Sequence, residues 1–159
     1  MGMSVSPRRL LLIADSPPFR QTLARLLRVV GHTVWDAETG AAGLAILRQH
    51  PLDLVATDRD MPGLTGWDVA RLIRATYPQL PVVLLAGGTG STTRDGRTPA
   101  PVDAILWKPF PFAELLGLIG RLTRGDILAS VGEVDSPVTG TATGQLYRRM
   151  RRSLAPSGR

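Results

Sequence analysis

The chain has 159 residues, 43% hydrophobic and 20% charged, which suits one globular domain plus an appendage and allows a substantial core. It has no cysteine, so disulfides, thiolate nucleophiles and Cys-based zinc sites are excluded. Its two histidines, His32 and His50, are too few to make a metal site alone. The net charge of +6 is uneven: from Gln145 onward there are five arginines and no acid, a bias that bears on partners rather than fold.

No run is long enough for a membrane span. Asp15 cuts the apolar stretch behind Arg8-Arg9 too short for a signal peptide, and Met1-Gly2-Met3-Ser4-Val5-Ser6 matches only the loose myristoylation pattern. The expectation is a cytoplasmic protein with an N-terminal leader over residues 1–8.

Short apolar runs alternate with segments of helical period, the pattern of a parallel sheet wound by helices. The first strand runs from Leu10 to Ala14. A helix follows from Pro18, well placed for a first-turn proline, with Leu23, Leu26, Leu27 and Val30 on one face and Gly31 as its stop. Thr33 to Asp36 is a second strand. Ala41 to Gln49 is a helix burying Leu44 and Ile46 or Leu47, ended by Pro51. Beside that proline, His50 reads as a solvated or dipole-facing imidazole. The third strand is Leu52 to Thr57, and the third helix, Trp67 to Tyr77, turns Val69, Leu72 and Ile73 inward. Pro81 to Ala86 and Ala104 to Trp107 are the fourth and fifth strands. The last helix is Phe112 to Arg124, striped by Leu115, Leu116, Ile119 and Leu122.

One gap breaks the alternation. Between the fourth and fifth strands, residues 87–101 hold four glycines, two prolines and no apolar stripe. Glycine costs about 1 kcal/mol and proline about 3 kcal/mol relative to alanine inside a helix, so a loop is predicted there. The stretch 125–144 reads as linker. Residues 145–154 could form three basic turns with Leu146, Met150 and Leu154 in line, too short to be stable alone. The segment 125–159 is therefore expected to be a disordered linker and tail. Its arginines suit nucleic-acid phosphates or an anionic membrane surface, but a solubilising role is favoured.

The chemistry sits at three strand ends: Asp15 after the first, Asp58 after the third and Lys108 after the fifth. In an open α/β sheet such ends line the crevice where ligands bind. Lys108 is the only lysine among 19 basic residues, which suggests a site needing a compact ammonium. Taken singly, these residues have ordinary explanations. Asp15 could cap the first helix, Asp58 and Asp60 could serve a turn, and Lys108 could be solvated. Gly88-Thr89-Gly90 is a fragment of a nucleotide loop without its third glycine or following helix, and a Walker loop is impossible with the sole lysine elsewhere. Ser-His-Asp and zincin arrangements lack their histidines.

Taken together, Asp15-Ser16-Pro17 with Arg20, Asp58-Arg59-Asp60-Met61-Pro62-Gly63 with Gly66, and Lys108-Pro109-Phe110 resemble the receiver domains of two-component response regulators. The resemblance covers residues 9–124. It implies an α/β fold: a flavodoxin-like, doubly wound five-stranded parallel sheet of order 2-1-3-4-5, here with a poorly formed fourth helix and a flexible basic tail. It implies a phosphoacceptor, Asp58, and a Mg²⁺ ion bound by Asp15, Asp58 and the backbone carbonyl of Asp60. Lys108 would contact the phosphoryl group. The implied partner is a sensor histidine kinase or a phosphotransfer protein, upstream of an unidentified protein target; a homodimer is carried as an alternative to a monomer. No DNA-binding domain fits after Arg124, so the expectation is a single-domain signalling protein and not an enzyme.

Three positions depart from the family pattern. Ala14 stands where a second acid is usual, Ala86 where a hydroxyl is usual and Ile105 where an aromatic switch is usual. Thr89 and Ser91 are candidate replacement donors, and Asp60 adds a negative charge beside the acceptor. These departures support an alternative of another class, a pseudo-receiver whose interactions do not depend on phosphorylation.

Overall fold

The computed structural model describes residues 6–88 and 101–123. The leader, the glycine-rich segment with Thr89 and Ser91, and the linker and tail fall wholly or largely outside the described residues. Five strands, β1 (Arg9–Ile13), β2 (Thr33–Ala37), β3 (Leu54–Asp58), β4 (Val82–Ala86) and β5 (Ala104–Trp107), alternate with helices α1 (Pro17–Val29), α2 (Gly40–Gln49), α3 (Gly66–Thr76) and α4 (Phe112–Thr123). All pairings are parallel, and the spatial order is β2-β1-β3-β4-β5. This is the flavodoxin-like order that the resemblance to receiver domains implies, with a switch point between β1 and β3.

The strands are nearly continuous runs of aliphatic residues because both sheet faces are covered. Alternation then sorts side chains into two layers. Leu10, Leu12, Leu54, Ala56, Leu85 and Leu106 pack with Leu23 and Leu27 of α1 and Leu115, Leu118 and Ile119 of α4. Leu11, Ile13, Val55, Val82, Leu84 and Ile105 pack with Leu47 of α2 and Val69 and Ile73 of α3. Each fully buried Leu or Ile contributes about 1.5–3 kcal/mol of transfer free energy.

Two inward assignments are corrected. Leu26 is 41% and Leu72 48% exposed. In both helices a small residue takes the place against the sheet, since Ala24 and Ala70 are fully buried and let the backbone approach. In α4 the buried stripe is Leu115, Leu118 and Ile119, with Leu116 and Leu122 only partly covered. His50 is also not simply solvated. Its ring stacks on Trp35 at 4.6 Å between centroids.

Local chemistry fixes turns at both rims of the sheet, including those that carry the site. Gly31 and Gly63 adopt φ of 105° and 78°, in the left-handed region that glycine tolerates. Thr65 and Asp68 form a reciprocal capping box that starts α3. At the opposite rim, Asp103 Oδ2 accepts from Arg74 at 2.6 Å and from the Val82 N–H at 2.7 Å, anchoring β4.

Gly66 opens α3 directly beneath the end of β3. A Cβ there would lie 2.2 Å from the Asp58 carbonyl oxygen and 2.9 Å from the Arg59 Cα, both backbone atoms that cannot swing aside. Gly66→Ala is therefore expected to destabilise the protein by about 3 kcal/mol or more through overpacking, measured by urea denaturation. A loss under about 1 kcal/mol would show that the β3–α3 junction yields easily.

Candidate functional site

β1 and β3 are neighbours at the switch point, so the residues that end them meet at one rim. Asp58 closes β3 and is 3% exposed. Asp15 follows β1, close enough that both its main chain and its carboxyl act on the Asp58 carboxylate. Lys108, just past β5, reaches back so that its Nζ donates to Asp58 Oδ1 at 2.6 Å. The Lys108 N–H donates to the Ala86 carbonyl at 2.7 Å, which fixes where the side chain starts. The three residues picked from separate motifs thus converge. Asp60 is different: its side chain is 73% exposed and pairs with Arg59 at 2.7 Å.

Burial pushes the Asp58 carboxyl above its ordinary range. The hydrogen bond and positive charge of Lys108 pull it back, and the Asp15 carboxyl pushes it up again. The balance is upward. Two carboxyls facing one ammonium leave a site that favours a further cation.

Among the described residues, no group of three or more His, Cys, Asp or Glu side chains is gathered as a metal cage. A cage is not what magnesium demands. Mg²⁺ is commonly held by one or two carboxylates, keeps several waters and prefers hard oxygen donors. Asp15 and Asp58, with the main chain of Asp60 next to the strand end, fit that donor chemistry.

The departures from the family pattern lie at the rim or, for Ile105, beneath it. Ala14 and Ala86 are fully buried and Ile105 is 3% exposed, so methyl and aliphatic groups occupy the three positions. The Ala14 carbonyl accepts from Arg20 Nη1 at 2.7 Å, and Arg20 Nε also reaches Asp36 at 3.2 Å. Asp15 does not cap α1. The N-cap position belongs to Ser16, which makes no side-chain capping bond.

Two participants were not singled out from the sequence. Lys108 Nζ lies 4.1 Å from the centroid of Phe19, a cation–π contact on the first turn of α1. Phe19 in turn meets Phe110 edge-on at 6.3 Å. Arg59, read only as part of a motif, bonds Asp60 and the Gly87 carbonyl and lies over Trp107. The only signal for Phe19 was an aromatic one turn from Asp15, and such a ring reads as core until the lysine is placed.

The raised Asp58 pKa carries a stability consequence. The fold tolerates the protonated form better than the ionised one, so Asp58 costs stability as pH rises through its raised folded value, and that cost is absent below its unfolded value. Asp58→Asn removes the charge at similar shape, and Lys108, 29% exposed, can turn to water. The variant is expected to melt above wild type at neutral pH, with the gap closing as pH falls toward about 4. A gap independent of pH, in calorimetry across that range, would rule out the buried charge as its cause.

The comparisons with known proteins bear on this geometry. Residues 10–120 match the family model "Response regulator receiver domain". The chain is 33% identical over 131 residues to the response regulator protein FleR of Pseudomonas aeruginosa, covering 82% of this chain and 27% of that protein. It is 32% identical over 131 residues to the transcriptional regulatory protein KdpE of Mycobacterium tuberculosis, covering 82% and 57%. It therefore spans between about a quarter and somewhat over half of these relatives' length. Among solved structures, a response regulator receiver domain protein from Clostridium thermocellum superposes with a TM-score of 0.70 at 27% identity, over 77% of this chain and 98% of that one. The response regulator TrrA of Thermotoga maritima, in complex with Mg²⁺ and BeF, superposes with a TM-score of 0.65 at 30% identity, over 72% and 98%. No helix among the described residues is long and apolar enough to cross a membrane. A matching family model, a sheet order and a rim where Asp15, Asp58 and Lys108 meet lead to one assignment: the chain belongs to the response regulator receiver domain family of two-component signalling.

Proposed function

We propose that the chain accepts a phosphoryl group on Asp58 from a sensor histidine kinase or a phosphotransfer protein. The observation that carries this reading is the Lys108 ammonium 2.6 Å from Asp58 Oδ1, at a rim that Asp15 shares. An Asp58 oxygen attacks phosphorus, the P–N bond of a phosphohistidine breaks, and its electron pair stays on the imidazole nitrogen, which takes a proton. Because Asp58 is buried at a strand end, its carboxylate has little conformational freedom to lose before attack. Lys108 passes from the carboxylate to a phosphoryl oxygen and stabilises the charge gathered there. Asp15, Asp58 and the backbone carbonyl of Asp60 would hold Mg²⁺, which when bound offsets repulsion between the carboxylates and the incoming anion. The Asp60 carboxylate is 73% exposed, so water and salt screen the repulsion it adds. In this role the domain is a signalling module and not an enzyme with a separate substrate.

A second reading has its own observation. With Ala86 and Ile105 buried, the rim has neither the hydroxyl nor the aromatic ring through which the family passes its signal, which favours a pseudo-receiver acting by shape alone. The two readings part in one experiment. Purified protein with phosphoramidate or acetyl phosphate and Mg²⁺ is expected to gain a single phosphoryl mass, absent in Asp58→Asn. Lys108→Ala is expected to slow the gain by about tenfold or more. No Asp58-dependent gain would leave the pseudo-receiver. Separately, Asp15→Asn is expected to weaken Mg²⁺ binding about tenfold, read by titration of tryptophan fluorescence. Equal affinity in the variant would remove Asp15 from the donor set.

A further inference from the structure

Arg59 has a larger place in the structure than charge neutralisation requires. It follows the acceptor immediately, yet its side chain is only 19% exposed. Its guanidinium meets three segments. Nε and Nη2 both donate to Asp60 Oδ2, at 2.9 and 2.7 Å. Nη2 also donates to the carbonyl of Gly87, the first residue past β4, at 3.2 Å. The guanidinium carbon lies 5.8 Å from the ring centroid of Trp107, the last residue of β5. One side chain thus spans the ends of β3, β4 and β5. The main chain braces it, since the Arg59 N–H donates to the Leu85 carbonyl and the Arg59 carbonyl accepts from Gly66, each at 2.8 Å.

Gly87 also borders the site. With Gly88, Lys108, Pro109, Phe110 and Phe19 it lines a groove of about 340 Å³. The carbonyl that Arg59 holds is therefore part of the wall beside the lysine that serves Asp58. At the two positions where the family places a hydroxyl and an aromatic ring, this chain has Ala86 and Ile105. Arg59 supplies a polar donor at the same strand ends, and Trp107 supplies a ring two residues along β5 on the same face as Ile105.

We propose that Arg59 is a latch that reads the charge on Asp58 and transmits it to Gly87 and Trp107. The inference rests on the phosphoacceptor reading and extends it to how the signal leaves the site. In the unmodified protein the guanidinium is held by a carboxylate 73% exposed, a carbonyl and a ring face, and an ion pair so open to water is weak. A phosphoryl group on the adjoining residue adds negative charge and acceptor oxygens of the geometry a guanidinium binds best. It draws Arg59 away from Asp60. The Gly87 carbonyl loses its donor, Trp107 loses its cation, and the ends of β4 and β5 respond together.

The test uses the full chain as wild type, Arg59→Ala, Arg59→Lys and Trp107→Phe, each treated with phosphoramidate and Mg²⁺. Intact mass reports the phosphoryl group and tryptophan emission reports the ring. All four are expected to gain the phosphoryl mass. Wild type shows an emission change that is lost in Trp107→Phe and in Arg59→Ala, and reduced in Arg59→Lys, which keeps the charge without the fork. The latch is overturned if Arg59→Ala, or Arg59→Lys should the alanine variant not fold, retains the full wild-type change. It is equally overturned if wild type gains the mass without a Trp107-dependent change. If wild type gains no mass on Asp58, the acceptor reading falls and the latch with it.

Discussion

Asp58 is almost wholly withdrawn from water, and an isolated buried carboxylate sheds its charge instead of staying ionised. What keeps it usable is Lys108, brought from the far side of β4 to within 2.6 Å. That contact requires β3, β4 and β5 in register and a β5 that ends level with β3, so the position of one ammonium depends on most of the sheet. The pairing of Asp58 with Leu85 and of Ala86 with Trp107 supplies that level. Phe19 lies beside the ammonium on the α1 side, its ring centroid 4.1 Å away.

The same constraint explains the close packing beneath the site. Gly66 lets α3 begin directly against the Asp58 carbonyl, and the capping box of Thr65 and Asp68 starts the helix there. On the other side, Arg20 ties the Ala14 carbonyl to Asp36, joining the end of β1 to β2 where a second acid would otherwise stand. The rim is thus held by bonds that do not compete for Asp58. Its one ammonium and its nearest carboxyl, Asp15, remain directed at the acceptor.

The strands and their polar ends were legible from strong signals, while the sheet order followed from the resemblance to receiver domains. Buried parallel strands read as aliphatic runs, and Asp15, Asp58 and Lys108 each end such a run. Helix faces were less legible. Leu26 and Leu72 fit the apolar period, but Ala24 and Ala70 take the inward places, and periodicity alone does not reveal that a small residue lets the helix sit closer. Contacts between distant segments outside the three motif ends were not legible. Nothing in the order of residues says that Arg59 would fold over Trp107, that His50 would lie on Trp35, or that Phe19 would sit under the lysine.

Ala86 and Ile105 look like losses if each position is judged by what the family usually places there. Judged by the strands they occupy, they show something different. A small Ala86 and an aliphatic Ile105 complete an apolar layer against Val82, Leu84 and Val102, which leaves the polar work at this edge to groups one step outward. Arg59 and Trp107 stand at that step, at the mouth of the crevice instead of inside it. Arg59 follows the acceptor directly in the chain and its guanidinium reaches the ends of β4 and β5, so it joins the acceptor's strand end to both. The burial that stabilises this edge and the readout that would use it are therefore compatible, because they are assigned to different residues.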